Sequence, residues 1–136
     1  MSGPFSTIDI AATGMGFAKY WTETISHNIA NINTVTSPDK EPFRARMVVA
    51  TPLDTNGPTG GGVAVANVVS EGGDPAMLYQ PDSPLANADG YVHGAVVDLA
   101  GQMSDLILAS RSYQANITVH KEAREALEAA TTLGKA

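Results

Sequence analysis

The sequence predicts a mainly α protein with a small β lobe (α+β): long N- and C-terminal helices forming a coiled-coil-like pair, with a short-stranded, irregular middle. Three observations predict it. Seven of the eight prolines (Pro38, Pro42, Pro52, Pro58, Pro75, Pro81, Pro84) lie in the middle of the chain, with Gly57, the Gly60-Gly61-Gly62 run and Gly72-Gly73. Proline removes a backbone donor and glycine raises the entropic cost of order, so helix is left to the ends. Apolar residues recur at spacings of three and four at both ends, whereas two stretches of the middle read as strands. The implied division is residues 1–33, 34–95 and 96–136.

The first helix is expected from Phe5 to Ile32. Phe5, Ile8, Ala12, Met15, Ala18, Ile25, Ile29 and Ile32 fall on one face, with Ser6 or Thr7 as N-cap. Gly14 and Gly16 weaken its middle by about 1 kcal/mol each relative to alanine. In the middle, Phe43, Ala45, Met47 and Val49 alternate with Arg44, Arg46, Val48 and Ala50. Val63–Val69 is a second strand, and Asp89-Gly90 is a turn leading into Tyr91-Val92.

The last helix is expected from Val96 to Leu133, closed by Gly134. Val96, Leu99, Met103, Leu106, Ser110, Tyr113 and Ile117 form its stripe, which then drifts to Ala123, Ala126, Leu127, Ala130 and Leu133. Glu122, Glu125 and Glu128 with Lys121 and Arg124 read as a solvated face. About 38 helical residues span roughly 57 Å. A compact chain of this size is only about 37 Å across. The molecule is therefore expected to be elongated and to hide leftover apolar surface in an oligomer.

The 136 residues carry a formal net charge of -6, with 43% hydrophobic residues and no cysteine. The acid excess argues against a nucleic-acid partner, and the lack of cysteine excludes disulfides, thiolate chemistry and Cys-ligated zinc. No apolar run is long enough for direct membrane insertion, and no basic n-region precedes the first apolar stretch, so no cleavable signal peptide is expected. His27, His93 and His120 are isolated, the glycine run lacks the Lys-Ser/Thr of a phosphate loop, and no serine sits in a nucleophile elbow. The expectation is no enzyme activity, no metal and no cofactor.

Two short segments rich in Asn and small residues stand out. Asn28-Ile29-Ala30-Asn31-Ile32-Asn33-Thr34 ends the first helix, where Asn33 suits a left-handed turn, and Ala109-Ser110-Arg111-Ser112-Tyr113-Gln114-Ala115-Asn116 lies in the last one. The first resembles the N-terminal Asn-rich box of flagellar rod and hook proteins, and the second resembles its C-terminal counterpart. Tyr79-Gln80-Pro81-Asp82-Ser83-Pro84, followed by Asp89-Gly90-Tyr91-Val92, is similar to a stretch of a proximal-rod member of that family. The chain departs from the family pattern at Trp21, at Glu41–Arg46 and at His93-Gly94-Ala95.

The resemblance implies a structural subunit of the bacterial flagellar basal-body rod. Such a subunit is exported by the flagellar type III apparatus into the periplasmic space and stacked helically with itself and other rod proteins to transmit torque for swimming. It implies that Ile8, Ile25, Ile29, Leu99, Leu106, Tyr113, Ile117 and Leu127 form the helical seam within and between subunits. Asn28, Asn31, Asn33, Ser110 and Asn116 would then set subunit register, with Ala30, Thr34 and Ala115 in the same interface. A different axial subunit and a helical-hairpin adaptor remain as alternatives.

Overall fold

The computed structural model describes residues 4–53 and 61–134, with side chains from Thr7 onward; the Phe5 side chain, Gly57, Pro58 and Gly60 lie outside the described residues. Along the chain run α1 (Pro4–Ala30), β1 (Val35–Thr36), β2 (Arg46–Pro52), β3 (Val63–Ser70), β4 (Met77–Tyr79), β5 (Tyr91–Gly94) and α2 (Leu99–Leu133). The fold is α+β. One sheet is an antiparallel β1-β5-β4 trio; the other is the β2-β3 hairpin, with an irregularity between Val49 and Ala50.

The helix ends differ from expectation in instructive ways. The described helix α1 runs from Pro4, so Ser6 and Thr7 lie within it rather than at an N-cap position. Proline suits a first helical turn because its missing N–H has no intrahelical partner there. At the other end the chain unwinds through three-residue turns, Asn31 N to Asn28 O and Ile32 N to Ile29 O. Asn33 is therefore not in the left-handed region, which no described non-glycine residue occupies.

Helix α2 starts at Leu99 rather than Val96, because Val96 is held in extended backbone pairing by Phe43 O and Ala45 N. Asp98 supplies the cap, its carboxylate accepting from Ala100 N and Gly101 N at 3.1 and 3.2 Å. Gly134 does close the helix, but with right-handed φ -75 and ψ -7.

The helices run antiparallel. Asn28 near the end of α1 meets Gln102 near the start of α2, and Gly14 meets Asn116 further along. Continued at that register, Pro4 lies opposite Ala126, and Leu127–Leu133 project beyond the described start of α1. The seam is built from small residues: Ala11, Ala18 and Ala109 are buried in it with Ile25. Ile8 and Ile29 are half-buried as expected, but Ala12 is exposed and Ala11 takes its place.

The stripe expected on α2 is mostly exposed, with Leu106, Ser110 and Tyr113 bordering a groove shared with Lys19, Thr22 and Glu23 of α1. Leu99, Met103, Ser110, Tyr113 and Ile117 are exposed, and only Leu106 is half-buried. The inward side runs through Gln102, Asp105, Ala109, Ser112 and Asn116 to His120, Ala123 and Leu127, while Ala126, Ala130 and Leu133 are exposed. Periodicity weighted by side-chain size selects the large residues, but close helix approach selects the small and short polar ones. The same inversion occurs in β2, where Met47 and Val49 point outward and Val48 is half-buried.

Little is buried in one chain. Its accessible surface is 8844 Å², against about 6,700 Å² for a compact monomer of 14.1 kDa. Gly14 marks the closest helix approach, where an added Cβ would lie 2.5 Å from Asn116 Oδ1. Gly14→Ala is therefore expected to lower the denaturation midpoint despite its helix-propensity gain of about 1 kcal/mol. In an Asn116→Ala background the same change should be neutral or stabilising. A double-mutant cycle by urea titration checks both.

Candidate assembly surface and the junction that positions it

Asn28 is fully buried, 0% exposed, at the last turn of α1. Its Nδ2 donates to Arg46 O and to Gln102 Oε1, both at 2.8 Å, and its Oδ1 accepts from Arg46 N at 2.9 Å. The carboxamide thus pairs with the first residue of β2 as a peptide group of a neighbouring strand would. Three elements meet on this one side chain. Gln102, 6% exposed, completes it from α2. The next residues of the box close locally: Asn31 Nδ2 donates to His27 O at 2.8 Å, and Thr34 Oγ1 donates to Asn31 Oδ1 at 3.3 Å. Ala30 and Asn33 are exposed.

The hairpin lies on α1, where Thr13 Oγ1 donates to Ile10 O and accepts from Val63 N at 3.1 Å. Beyond it, Tyr79 and Tyr91 form a tilted pair at 5.3 Å on the β4-β5 ladder. The turn between them is set by Asn87, whose Oδ1 accepts from Asp89 N and Tyr91 N, and by Gly90 at φ 82. Glycine meets no Cβ penalty in that left-handed conformation.

The outward side of α2 carries large apolar residues interspersed with Ser104, Arg111, Gln114 and Thr118. Ile107 and Leu108 are 53% and 54% exposed, and Leu99, Met103, Tyr113, Ile117 and Val119 continue the surface. Ser110 and Ala115 lie exposed among them, and Asn116 Nδ2 donates to Ser112 O of its own helix at 2.8 Å. Further along, the charges pair along the helix, Lys121 with Glu125 at 3.7 Å and Arg124 with Glu128 at 3.0 Å. Such exposed pairs contribute little. Among the described residues no group of His, Cys, Asp or Glu could hold a metal ion, and no helix is long and apolar enough to cross a membrane.

Of the residues singled out in the sequence, Ile25 and Asn28 come together with Gln102 at the junction, whereas Tyr113, Ala115 and Ile117 stay on the open face. Gln102 and Asp98 escaped the sequence reading. Asp98 carried a usable signal, a capping-type carboxylate directly before Leu99 of the apolar repeat, whereas Gln102 falls between repeat positions and carried none.

A pair of long antiparallel helices with a small β lobe and an uncovered apolar stripe defines a structural, assembly-forming class of protein. The comparisons place it in that class: a family model described as Flagellar basal body rod FlgEFG protein C-terminal matches residues 88–133. The chain is 38% identical over 127 residues to the flagellar basal-body rod protein FlgC of Salmonella typhimurium (strain LT2), covering 93% of this chain and 95% of that one. It is 32% identical to the FlgC of Borreliella burgdorferi, covering 96% and 97%, and 28% identical to that of Bacillus subtilis (strain 168), covering 96% and 98%. The chain belongs to the FlgC family of flagellar basal-body rod proteins. This is a family of structural proteins and not of enzymes.

Replacing Asn28 leaves Arg46 N–H, Arg46 C=O and Gln102 without their partner in a buried site. Each such orphaned group costs about 1–3 kcal/mol. Asn28→Ala is expected to destabilise the chain by about 3 kcal/mol, and Asn28→Asp by no less, since a carboxylate cannot donate to Arg46 O and Gln102 Oε1. Guanidinium unfolding followed by circular dichroism measures both.

Proposed function

We propose that the chain is a structural subunit of the proximal part of the flagellar rod, assembling helically with itself and other rod proteins so that torque passes through it. The observation that carries this reading is the outward side of α2. Ile107, Leu108, Tyr113 and Ile117 are large, apolar and exposed on one continuous helix. A surface about 2,000 Å² above that of a compact monomer is the scale on which stable interfaces bury area.

Neighbouring helices covering that stripe supply the missing partner, and Asn31, Asn33 and Ser110 are the members of the two boxes left to set subunit register, whereas Asn116 faces Gly14 of its own chain. Asn28 is satisfied inside the chain, so its contribution is to set the angle between helices and lobe. The working division is 1–33 and 96–136 as the helical layer and 34–95 as the lobe. The periplasmic space as location and the type III export apparatus as route rest on the family resemblance.

Leu108→Glu is expected to leave the unfolding midpoint of the free chain within about 0.5 kcal/mol of wild type, as exposed substitutions do. It should abolish incorporation into basal bodies and swimming in soft agar. A swimming Leu108→Glu strain would sink the reading. Hydrogen exchange on the free chain separates the rod subunit from a self-sufficient hairpin adaptor. Amides beyond Ile117, where no described residue is fully buried, are expected to exchange quickly, and those around Asn28 and Gln102 slowly. Slow exchange along all of α2 in a dilute monomer favours the adaptor.

A further inference from the structure

The edge of β2 that Asn28 meets is left open one step further along. Glu71 N donates to Ala45 O, so Ala45 and every second residue after it, Met47 and Val49, bond toward β3. Arg46 and Val48 turn their N–H and C=O the other way. Those of Arg46 are taken by the Asn28 amide, which stands where a third strand would begin. Those of Val48 meet no partner among the described residues.

Beside this edge lies a groove of about 280 Å³ between β2, α1 and α2. Phe17, Trp21 and Ile25 line it from α1, and Gln102 and Asp105 from α2. Two polar groups there are unspent. Gln102 accepts from Asn28 through Oε1, but its amide N–H groups donate to nothing among the described residues and keep access to the groove. The Asp105 carboxylate is half-buried and forms no ion pair with a described residue.

A free strand edge, an apolar lining and unpaired polar groups on the opposite wall are the elements of strand addition. We propose that this groove takes an extended segment of a different rod subunit as a third strand beside β2. Its backbone pairs with Val48 and Gln102, one apolar side chain rests on Trp21, and a Lys or Arg meets Asp105. A Lys or Arg facing Asp105 makes charge complementarity part of the contact, and a net charge of -6 makes a less acidic chain better matched than a second copy. The inference rests on the rod reading and adds to it a named contact outside the helical layer.

Hydrogen exchange of the Val48 amide tests it in dilute free protein, in concentrated free protein and in purified basal bodies, with the Met47 amide as internal reference. Val48 is expected to exchange freely in both free samples and about 100-fold more slowly in basal bodies, while Met47 stays protected throughout. Equal Val48 exchange in basal bodies that contain the chain overturns strand addition and leaves the rod reading standing; basal bodies that lack the chain overturn the rod reading itself. Protection appearing with concentration alone identifies a second copy and overturns the proposed occupant.

Val48→Pro removes an N–H that the single chain does not use, a change tolerated at an outward strand position, and Val48→Ala keeps it. Val48→Pro is expected to abolish swimming and Val48→Ala to preserve it. Normal swimming by Val48→Pro overturns the proposal, and if that variant fails to fold, the wild-type exchange measurement decides alone.

Discussion

The paired hydrogen bonds between the Asn28 carboxamide and the backbone of Arg46 are the constraint on which the rest of this structure depends. A helix cannot join a sheet through its own backbone, because its N–H and C=O groups are consumed internally. A carboxamide is the one neutral side-chain group with both a donor and an acceptor in the geometry of a peptide. Asn28 uses it to present a strand-like edge from a helix, and its second N–H proton reaches Gln102 on the other helix. The bond to Gln102 is buried and the two to Arg46 are partly so, a setting of lowered dielectric in which leaving one unmade is costly. Helix pair and hairpin are thereby held at one angle.

That anchoring explains how a chain with so small a core keeps its shape. Among the described residues the core holds Ala11, Ala18, Ile25, Ala45, Val92 and Ala109, four of them alanine, with Pro42 also buried. Small residues let the helices approach closely and leave the large ones free. Ile107, Leu108, Tyr113 and Ile117 accordingly lie on the outside of α2. In a rod subunit this arrangement has a physical logic: close internal packing stiffens the single chain, and the large side chains remain for the contacts between chains, where hydrophobic burial drives association.

Much of the frame was legible in the sequence. Proline and glycine confined to the middle excluded helix there, and the long three-four repeat required it at both ends. Val63–Val69 and the Asp89-Gly90 turn were visible because period-two patterns and turn dipeptides act locally. Asn28 stood out as part of an Asn-rich box, and the resemblance drawn from that box led to the FlgC family. What was not legible was orientation. Leu99, Met103 and Ile117 look like a core stripe because they are large, yet they stay exposed. The short strands β1 and β4 carried no signal of their own, since two or three residues cannot show a period. Gln102, in turn, could not be distinguished from a surface glutamine before its partner on α1 was known.

The sequence by itself determined the order of elements, the absence of thiol chemistry, the apolar periodicity of the two ends and the family to which the chain belongs, because each is carried by neighbours along the chain. Only the tertiary structure decided which side of α2 meets α1, that Asn28 grips Arg46 and Gln102 rather than a neighbouring subunit, and that Val48 keeps an open edge beside Trp21. These depend on residues far apart in sequence, such as the 74 positions between Asn28 and Gln102. Periodicity states that a helix has an apolar side, but steric fit between two particular backbones determines which residues can lie in the seam. In this chain the fit favoured alanine, glycine and a carboxamide over the larger side chains.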